Sequence, residues 1–167
     1  MEVIVFHFAF FVIWLEMAVI MSRFISHKRI YIIMKYLYYT GVITMAMQVD
    51  DTLPSNHSYH FSIGLLICFS IYLVIHIHLC TIPRASLYCL VNICTVIVSI
   101  SILLIGITRN KGSIESNNII RMVCIFISTG VLYTRTASTF AVSAGQIPVN
   151  VHHLAERFGL LMILFIG

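Results

Sequence analysis

Long apolar runs are the feature that most limits what this chain can fold into. A helix that crosses about 30 Å of hydrocarbon needs roughly 20 consecutive, mostly apolar residues. Five segments meet this requirement: residues 3–22, 30–49, 60–82, 86–107 and 119–142. A sixth apolar segment, residues 154–167, reaches only about 21 Å at 1.5 Å per residue and is too short to cross. The sequence therefore predicts an all-α, polytopic membrane bundle with five spanning helices and a truncated sixth.

The composition indicates the same environment. Of the 167 residues, 60% are hydrophobic and 10% are charged, and the mean hydropathy is +1.00. Soluble domains carry about a quarter charged residues, so a water-soluble core is not expected. The connections between the apolar runs are too short for a soluble domain, and residues 1–167 are expected to form one membrane domain with the lipid bilayer as partner. The net charge of +4 comes without a basic tract interleaved with aromatics, which does not indicate nucleic-acid binding.

Basic residues in the short connections predict an orientation. Lys and Arg are enriched in the loops on the cytoplasmic side of a membrane protein. The first connection carries three basic residues and the third carries Arg84, whereas the opposite side holds Arg109 and Lys111. The N-terminus is therefore predicted to lie outside, with the first and third connections inside.

Four ionisable residues inside the predicted spanning helices form a candidate polar site. They are Glu16, Lys35, His76 and Arg135, on the first, second, third and fifth helices. Asp, Lys or Arg at a helix centre costs about 2.5–3.5 kcal/mol on insertion scales, so such groups usually face the bundle interior. The first and fifth helices are expected to run in the same direction, which brings Glu16 and Arg135 to a similar depth. We therefore predict an ion pair between them.

This candidate site has two interpretations. In the functional one, the four residues line a polar site or a proton or ion pathway in the inner leaflet. In the structural one, Glu16 and Arg135 neutralise each other and fix the helix register, while Lys35 extends toward the headgroups and the histidines lie at the headgroups.

No catalytic, metal-binding or cofactor-binding pattern is recognisable, so we expect no enzyme activity and no cofactor. His76 and His78 are two positions apart and would point in different directions on a helix. His152 and Glu156 lie four apart. A zinc protease places two histidines at that spacing, with a glutamate between them and a third ligand elsewhere, and this stretch has neither that histidine pair nor the third ligand. The five cysteines include no C-x-x-C pair and lie in apolar runs, where packing is the predicted role.

Small residues on the fifth segment predict a packing face. Ala137, Ala141 and Gly145 recur at intervals of four, a pattern that lets a neighbouring backbone approach closely. We expect this face to contact another helix, which could belong to a partner membrane protein or to a second copy of the chain.

The end of the chain resembles a family signature. The string HLAERFGLLMILFIG, residues 153–167, closely resembles a His-x-x-Glu-Arg-Phe-Gly-Leu motif of the low temperature requirement A (LtrA) family of multi-spanning membrane proteins. The matching positions are His153, Glu156, Arg157, Phe158, Gly159 and Leu160.

A second, upstream stretch is similar to the same family. VIWLEMAVIMSRF, residues 12–24, looks like the family's early helix, in which a tryptophan-containing apolar run ends at an Asn/Ser-Arg-Phe step; here Trp14, Arg23 and Phe24 correspond. The family's opening Glu-Leu-Phe-Phe-Asp-Leu segment is absent, and family members continue with Glu-Ser and further helices where this chain ends. The resemblance therefore implies an incomplete N-terminal half.

Two functional hypotheses follow. The first is a transport or channel-like component, with Glu16 and Arg135 lining a polar region at the inner side and, by the resemblance, Glu156 and Arg157 joining them. The second is a non-catalytic structural or assembly subunit of a membrane complex, in which the same residues lock helices together, or a non-functional truncated fragment.

Overall fold

All regular structure in the described residues is α-helical. The computed structural model describes residues 2–23, 29–48, 57–81, 86–109 and 114–142. In chain order the helices are α1 (Glu2–Arg23), α2 (Arg29–Ala46), α3 (His57–Leu79), α4 (Ser86–Thr108) and α5 (Ile114–Val142). The predicted all-α class is confirmed for this part of the chain.

The number of helices able to span a membrane differs from the prediction. Of the helices in the described residues, four are long and apolar enough, over Val3–Ser22, Ser58–Leu79, Ser86–Thr108 and Ser116–Ser138. The prediction of five counted α2 as well, but its 18 residues include Lys35 and four tyrosines, whose polar groups lower its hydropathy. The predicted truncated sixth helix, residues 154–167, lies outside the described residues.

Helix boundaries depart from the apolar runs mainly at polar ends. α3 begins at His57 instead of residue 60, and α5 begins at Ile114 instead of residue 119. A hydropathy criterion marks only the part of a helix that fits hydrocarbon, whereas backbone hydrogen bonds continue into the flanking polar residues. These polar extensions also pack together, because Ser58 Oγ on α3 donates to Asn118 Oδ1 on α5 at 3.1 Å.

The third helix holds a central position in the bundle. α3 packs against α2, α4 and α5, and α5 also packs against α4 and α1. Along the α4–α5 contact, Gly106 lies against Cys124, and the Ser99 hydroxyl donates to the carbonyl of Ser128 at 3.0 Å. Residue numbers rise on one helix as they fall on the other, so α4 and α5 are antiparallel.

Aromatic side chains connect α1 to α3 and α5. Phe6 stacks on Phe61 of α3 with ring centroids 4.2 Å apart. Phe8 lies 5.5 Å from Phe126 of α5, and Phe11 lies 6.5 Å from Tyr133. Residue numbers rise together in these pairs, so α1 and α5 are parallel. Aromatic pairs typically contribute about 0.5–1.5 kcal/mol beyond the area they bury, so these rings help to hold α1 in the bundle.

The outward faces have the character that lipid requires. On α4, for example, a row of large aliphatic side chains is exposed: Leu87, Leu90, Val91, Ile97, Val98, Leu104 and Ile105. Exposed hydroxyls on the same helix are bonded within it, since Thr95 and Ser101 each donate to the carbonyl four residues earlier at 2.9 Å. No water is present in hydrocarbon to bond them, so local satisfaction lets these polar residues face lipid.

Two glycines let α2 and α3 cross at close range. A Cβ added to Gly64 would lie 2.7 Å from Met45 Cγ and 2.9 Å from the carbonyl oxygen of Gly41. A Cβ added to Gly41 would lie 3.0 Å from the carbonyl oxygen of Gly64. The two backbones therefore approach to a distance that a larger residue would prevent.

We expect Gly64→Ala to lower the free energy of unfolding by about 1–3 kcal/mol, because the added methyl group overpacks this crossing. Gly130→Ala is the matched control, since nothing lies within 4 Å of a Cβ added there. Because alanine has a higher helix propensity than glycine, the free energy of unfolding of Gly130→Ala should be unchanged or higher by up to about 1 kcal/mol. Reversible unfolding in mixed micelles measures both; equal stabilities would contradict the close crossing.

A buried tyrosine provides a second test of the packing. Tyr72 of α3 is 1% exposed, and its hydroxyl donates to the carbonyl of Ile13 on α1. Tyr72→Phe should lower the free energy of unfolding by about 0.5–1.5 kcal/mol, the usual net value of one hydrogen bond. Tyr36→Phe, at a position 70% exposed, should leave the unfolding transition where it is. The same micelle assay applies, and an unchanged transition for Tyr72→Phe would show that the α1–α3 bond adds nothing.

Candidate functional site

Three side chains from three helices meet where α3 and α5 approach their ends and α4 begins. They are His76 of α3, Tyr88 of α4 and Arg135 of α5, here called the His76–Tyr88–Arg135 cluster. The imidazole meets the Tyr88 ring edge-on, with centroids 6.2 Å apart. The guanidinium carbon of Arg135 lies 5.8 Å from the centroid of the same ring, and Arg135 is near enough to His76 for an electrostatic interaction.

The cluster lies near one boundary of the apolar spans. His76 precedes the end of its span at Leu79 by three residues, Tyr88 follows the start of its span at Ser86 by two, and Arg135 precedes the end at Ser138 by three. At 1.5 Å per residue, each lies within about 5 Å of the boundary. The convergence is therefore a property of one end of the bundle.

Burial and hydrogen bonding in the cluster are uneven. His76 is 1% exposed, whereas Tyr88 and Arg135 are half-buried. In the described part of the chain, His76 Nδ1 and Arg135 Nε are buried without a hydrogen-bond partner. The Nε atom can only donate, and an unmet buried donor costs about 1–3 kcal/mol. A cluster optimised for stability alone would satisfy these atoms.

The Tyr88 ring explains why Arg135 remains within the bundle. Its π face attracts the guanidinium, an interaction of about 0.5–2 kcal/mol that strengthens as water is removed. Arg135 Nη1 also lies 3.5 Å from Ser138 Oγ, at the limit of a hydrogen bond, while that hydroxyl donates to the Arg135 carbonyl at 2.7 Å. The positive charge is thus held against α4.

The other predicted site residues belong to α1 and α2. Glu16 of α1 is 4% exposed and interacts electrostatically with Tyr72 of α3. Lys35 of α2 and His78 of α3 are half-buried. The predicted ion pair between Glu16 and Arg135 stays a prediction.

A polar cluster at the opposite end of α3 and α5 was not predicted. Arg121 is 7% exposed, and its guanidinium carbon lies 5.2 Å from the Tyr59 ring centroid. Its Nη1 donates to Asn118 Oδ1 at 3.2 Å, and that oxygen also accepts from Ser58 Oγ. The sequence feature that could have indicated this cluster is the spacing of Asn118 and Arg121, which are three residues apart and so share one helix face. The predicted fifth segment begins at residue 119, so Asn118 fell in a connection and its pairing with Arg121 was missed.

Several predicted features lie outside the described residues. These are the motif residues His153, Glu156, Arg157, Phe158 and Gly159, together with Gly145 and the side chain of Ala141. Ala137, the third member of the small-residue pattern, is exposed, and a partner for this face stays a prediction. Within the described ranges, no group of three His, Cys, Asp or Glu side chains could hold a metal ion.

Comparison with known proteins identifies the family. The family model described as bacterial low temperature requirement A protein (LtrA) matches residues 1–167, the whole sequence given. Neither the curated proteins nor the solved structures give a match. The resemblance inferred from the terminal motif is confirmed, and the chain belongs to the LtrA family of membrane proteins.

Proposed function

We propose that this chain is a component of a membrane transporter or channel and that the His76–Tyr88–Arg135 cluster lies in its polar region. The observation that carries the proposal is the convergence of a histidine and an arginine from different helices, with buried nitrogen atoms left unmet among the described residues. Ionisable groups inside spanning segments are expensive, and they characteristically mark the paths of ions and solutes.

The chemistry of the cluster suits passage of a small polar species. Arg135 supplies a fixed positive charge, and the imidazole of His76 offers one nitrogen that donates and one that accepts. Such groups replace part of the water shell of an ion that leaves bulk solvent. By the distribution of Lys and Arg, the N-terminus lies outside and the cluster lies near the inner surface. The proposed activity includes no enzymatic step.

A structural or assembly role is the second candidate, and the cluster at the opposite end favours it. Arg121 lies 5.2 Å from the Tyr59 ring centroid and Arg135 lies 5.8 Å from that of Tyr88, so each joins α5 to a neighbouring helix in a similar way. Contacts of this kind can lock helices without any passage of solute. In that case both arginines contribute to stability and neither contributes to flux.

Flux through the reconstituted chain separates the two candidates. The purified protein is placed in sealed liposomes with fluorescent probes for H⁺, K⁺, Na⁺ and Cl⁻. We expect a flux of at least one of these ions above that of protein-free liposomes. Arg135→Gln and His76→Gln should each reduce it by about tenfold or more, because a tenfold change corresponds to about 1.4 kcal/mol in the barrier.

Two variants serve as controls for this experiment. Arg121→Gln removes the other arginine of α5 and should preserve flux per folded molecule. Ser101→Ala removes an exposed hydroxyl that bonds only within α4 and should change nothing. The transport proposal is overturned if wild-type flux equals that of protein-free liposomes, or if Arg135→Gln and His76→Gln leave the flux unchanged. Equal losses of thermal stability in both arginine variants, with unchanged flux, would favour the structural role.

A further inference from the structure

Two cysteines face each other where α3 ends and α4 begins. Cys80 directly follows the last residue of α3, and Cys89 lies in the first turn of α4. The Cys89 thiol interacts with Cys80 across this junction. Cys80 Sγ also lies 3.9 Å from the carbonyl oxygen of Ser86. Ser86 and Cys89 are three residues apart and so share one face of α4, against which Cys80 packs.

The antiparallel packing of α3 and α4 explains this proximity. His76 of α3 contacts Tyr88 of α4. His76 lies one turn before Cys80, and Tyr88 lies one residue before Cys89, so the two helices are paired in the region that holds both cysteines. The thiols are nine positions apart in the sequence, which is neither a C-x-x-C spacing nor an intrahelical one. For this reason only packing was predicted for these two cysteines.

The two thiols differ in access. Cys80 is half-buried and lies just beyond the apolar span that ends at Leu79, whereas Cys89 is fully buried. A water-soluble reagent therefore reaches Cys80 first. The other thiols lie elsewhere: Cys68 is buried next to Gly41 of α2, Cys94 is exposed on α4, and Cys124 is half-buried beside Gly106.

We propose that Cys80 and Cys89 form a reversible disulfide that links the end of α3 to the start of α4. The oxidant is a low-molecular-weight disulfide such as oxidised glutathione. The Cys80 thiolate attacks one of its sulfurs, forming a mixed disulfide and releasing one glutathione. Cys89, as the thiolate, then attacks the Cys80 sulfur and releases the second glutathione. Two electrons and two protons pass from the protein thiols to the two glutathione molecules, so the exchange is balanced.

This disulfide is independent of the proposed transport role. It requires only that the two sulfur atoms come within bonding distance when one of them is activated, which natural disulfides achieve with Cβ atoms about 3.5–4.5 Å apart. The residue before Cys89 is Tyr88, so the disulfide would also fix the turn of α4 that carries the ring beneath Arg135.

Thiol counting after oxidation tests the proposal. The full chain in detergent micelles is treated with oxidised glutathione, denatured, alkylated and analysed by mass spectrometry. The number of alkylatable thiols should fall from five to three, and a cross-linked peptide should contain Cys80 and Cys89. Reduction with dithiothreitol should restore all five. Cys94→Ser should still lose two thiols, whereas Cys80→Ser and Cys89→Ser should not form the cross-link.

Three results would overturn the proposal. The first is retention of all five thiols under conditions that oxidise the chain unfolded in detergent. The second is a cross-link that involves Cys68, Cys94 or Cys124, or one that joins two chains on a non-reducing gel. The third is a glutathione adduct on Cys80 that persists while Cys89 stays alkylatable, because it would show that the second thiol cannot reach the first. A circular dichroism spectrum of each variant verifies that the helices are intact.

Discussion

Hydrocarbon cannot hydrogen-bond a peptide group, and every other feature of this bundle depends on that constraint. Each backbone N–H and C=O in a spanning segment must be bonded within it, which leaves the α-helix as the available form for separate segments. Exposed hydroxyls follow the same rule, as Thr95 and Ser101 show by bonding to their own helix. Side chains that cannot be satisfied locally turn inward, and His76 is more completely buried than Glu16 or Arg121.

Association of the helices then depends on specific contacts, because lipid tails are as apolar as leucine and give little hydrophobic driving force between helices. α3 uses a different contact toward each neighbour. Two glycines allow close approach to α2, the Tyr72 hydroxyl bonds to a carbonyl of α1, and the His76–Tyr88–Arg135 cluster joins α4 and α5. The same cluster that holds three helices together is thus the best candidate for passage of a solute, which is why stability and flux must be measured on the same variants.

Prediction from the sequence succeeded where one local property decides the outcome. The apolar run 86–107 predicted α4 to within one residue, because that segment contains no charged residue. α2 was expected to span, yet its tyrosines carry a polar hydroxyl on an apolar ring, and with Lys35 they lower the hydropathy of the segment. The start of α5 was placed too late because Asn117 and Asn118 are polar, although both belong to the helix and Asn118 accepts a hydrogen bond from Ser58 of α3.

The sequence by itself determined the membrane class, the helical content and the family, since these depend on composition, on runs of neighbouring residues and on one terminal motif. It also set the approximate depth of each ionisable residue, because depth follows from counting along a helix at a fixed rise. Only the tertiary structure decided which of these residues meet. His76 and Arg135 contact the same Tyr88 ring, and Cys80 interacts with Cys89, because each helix adopts a particular rotation about its axis when it packs. That rotation is set by side chains on several helices at once, and no single segment encodes it.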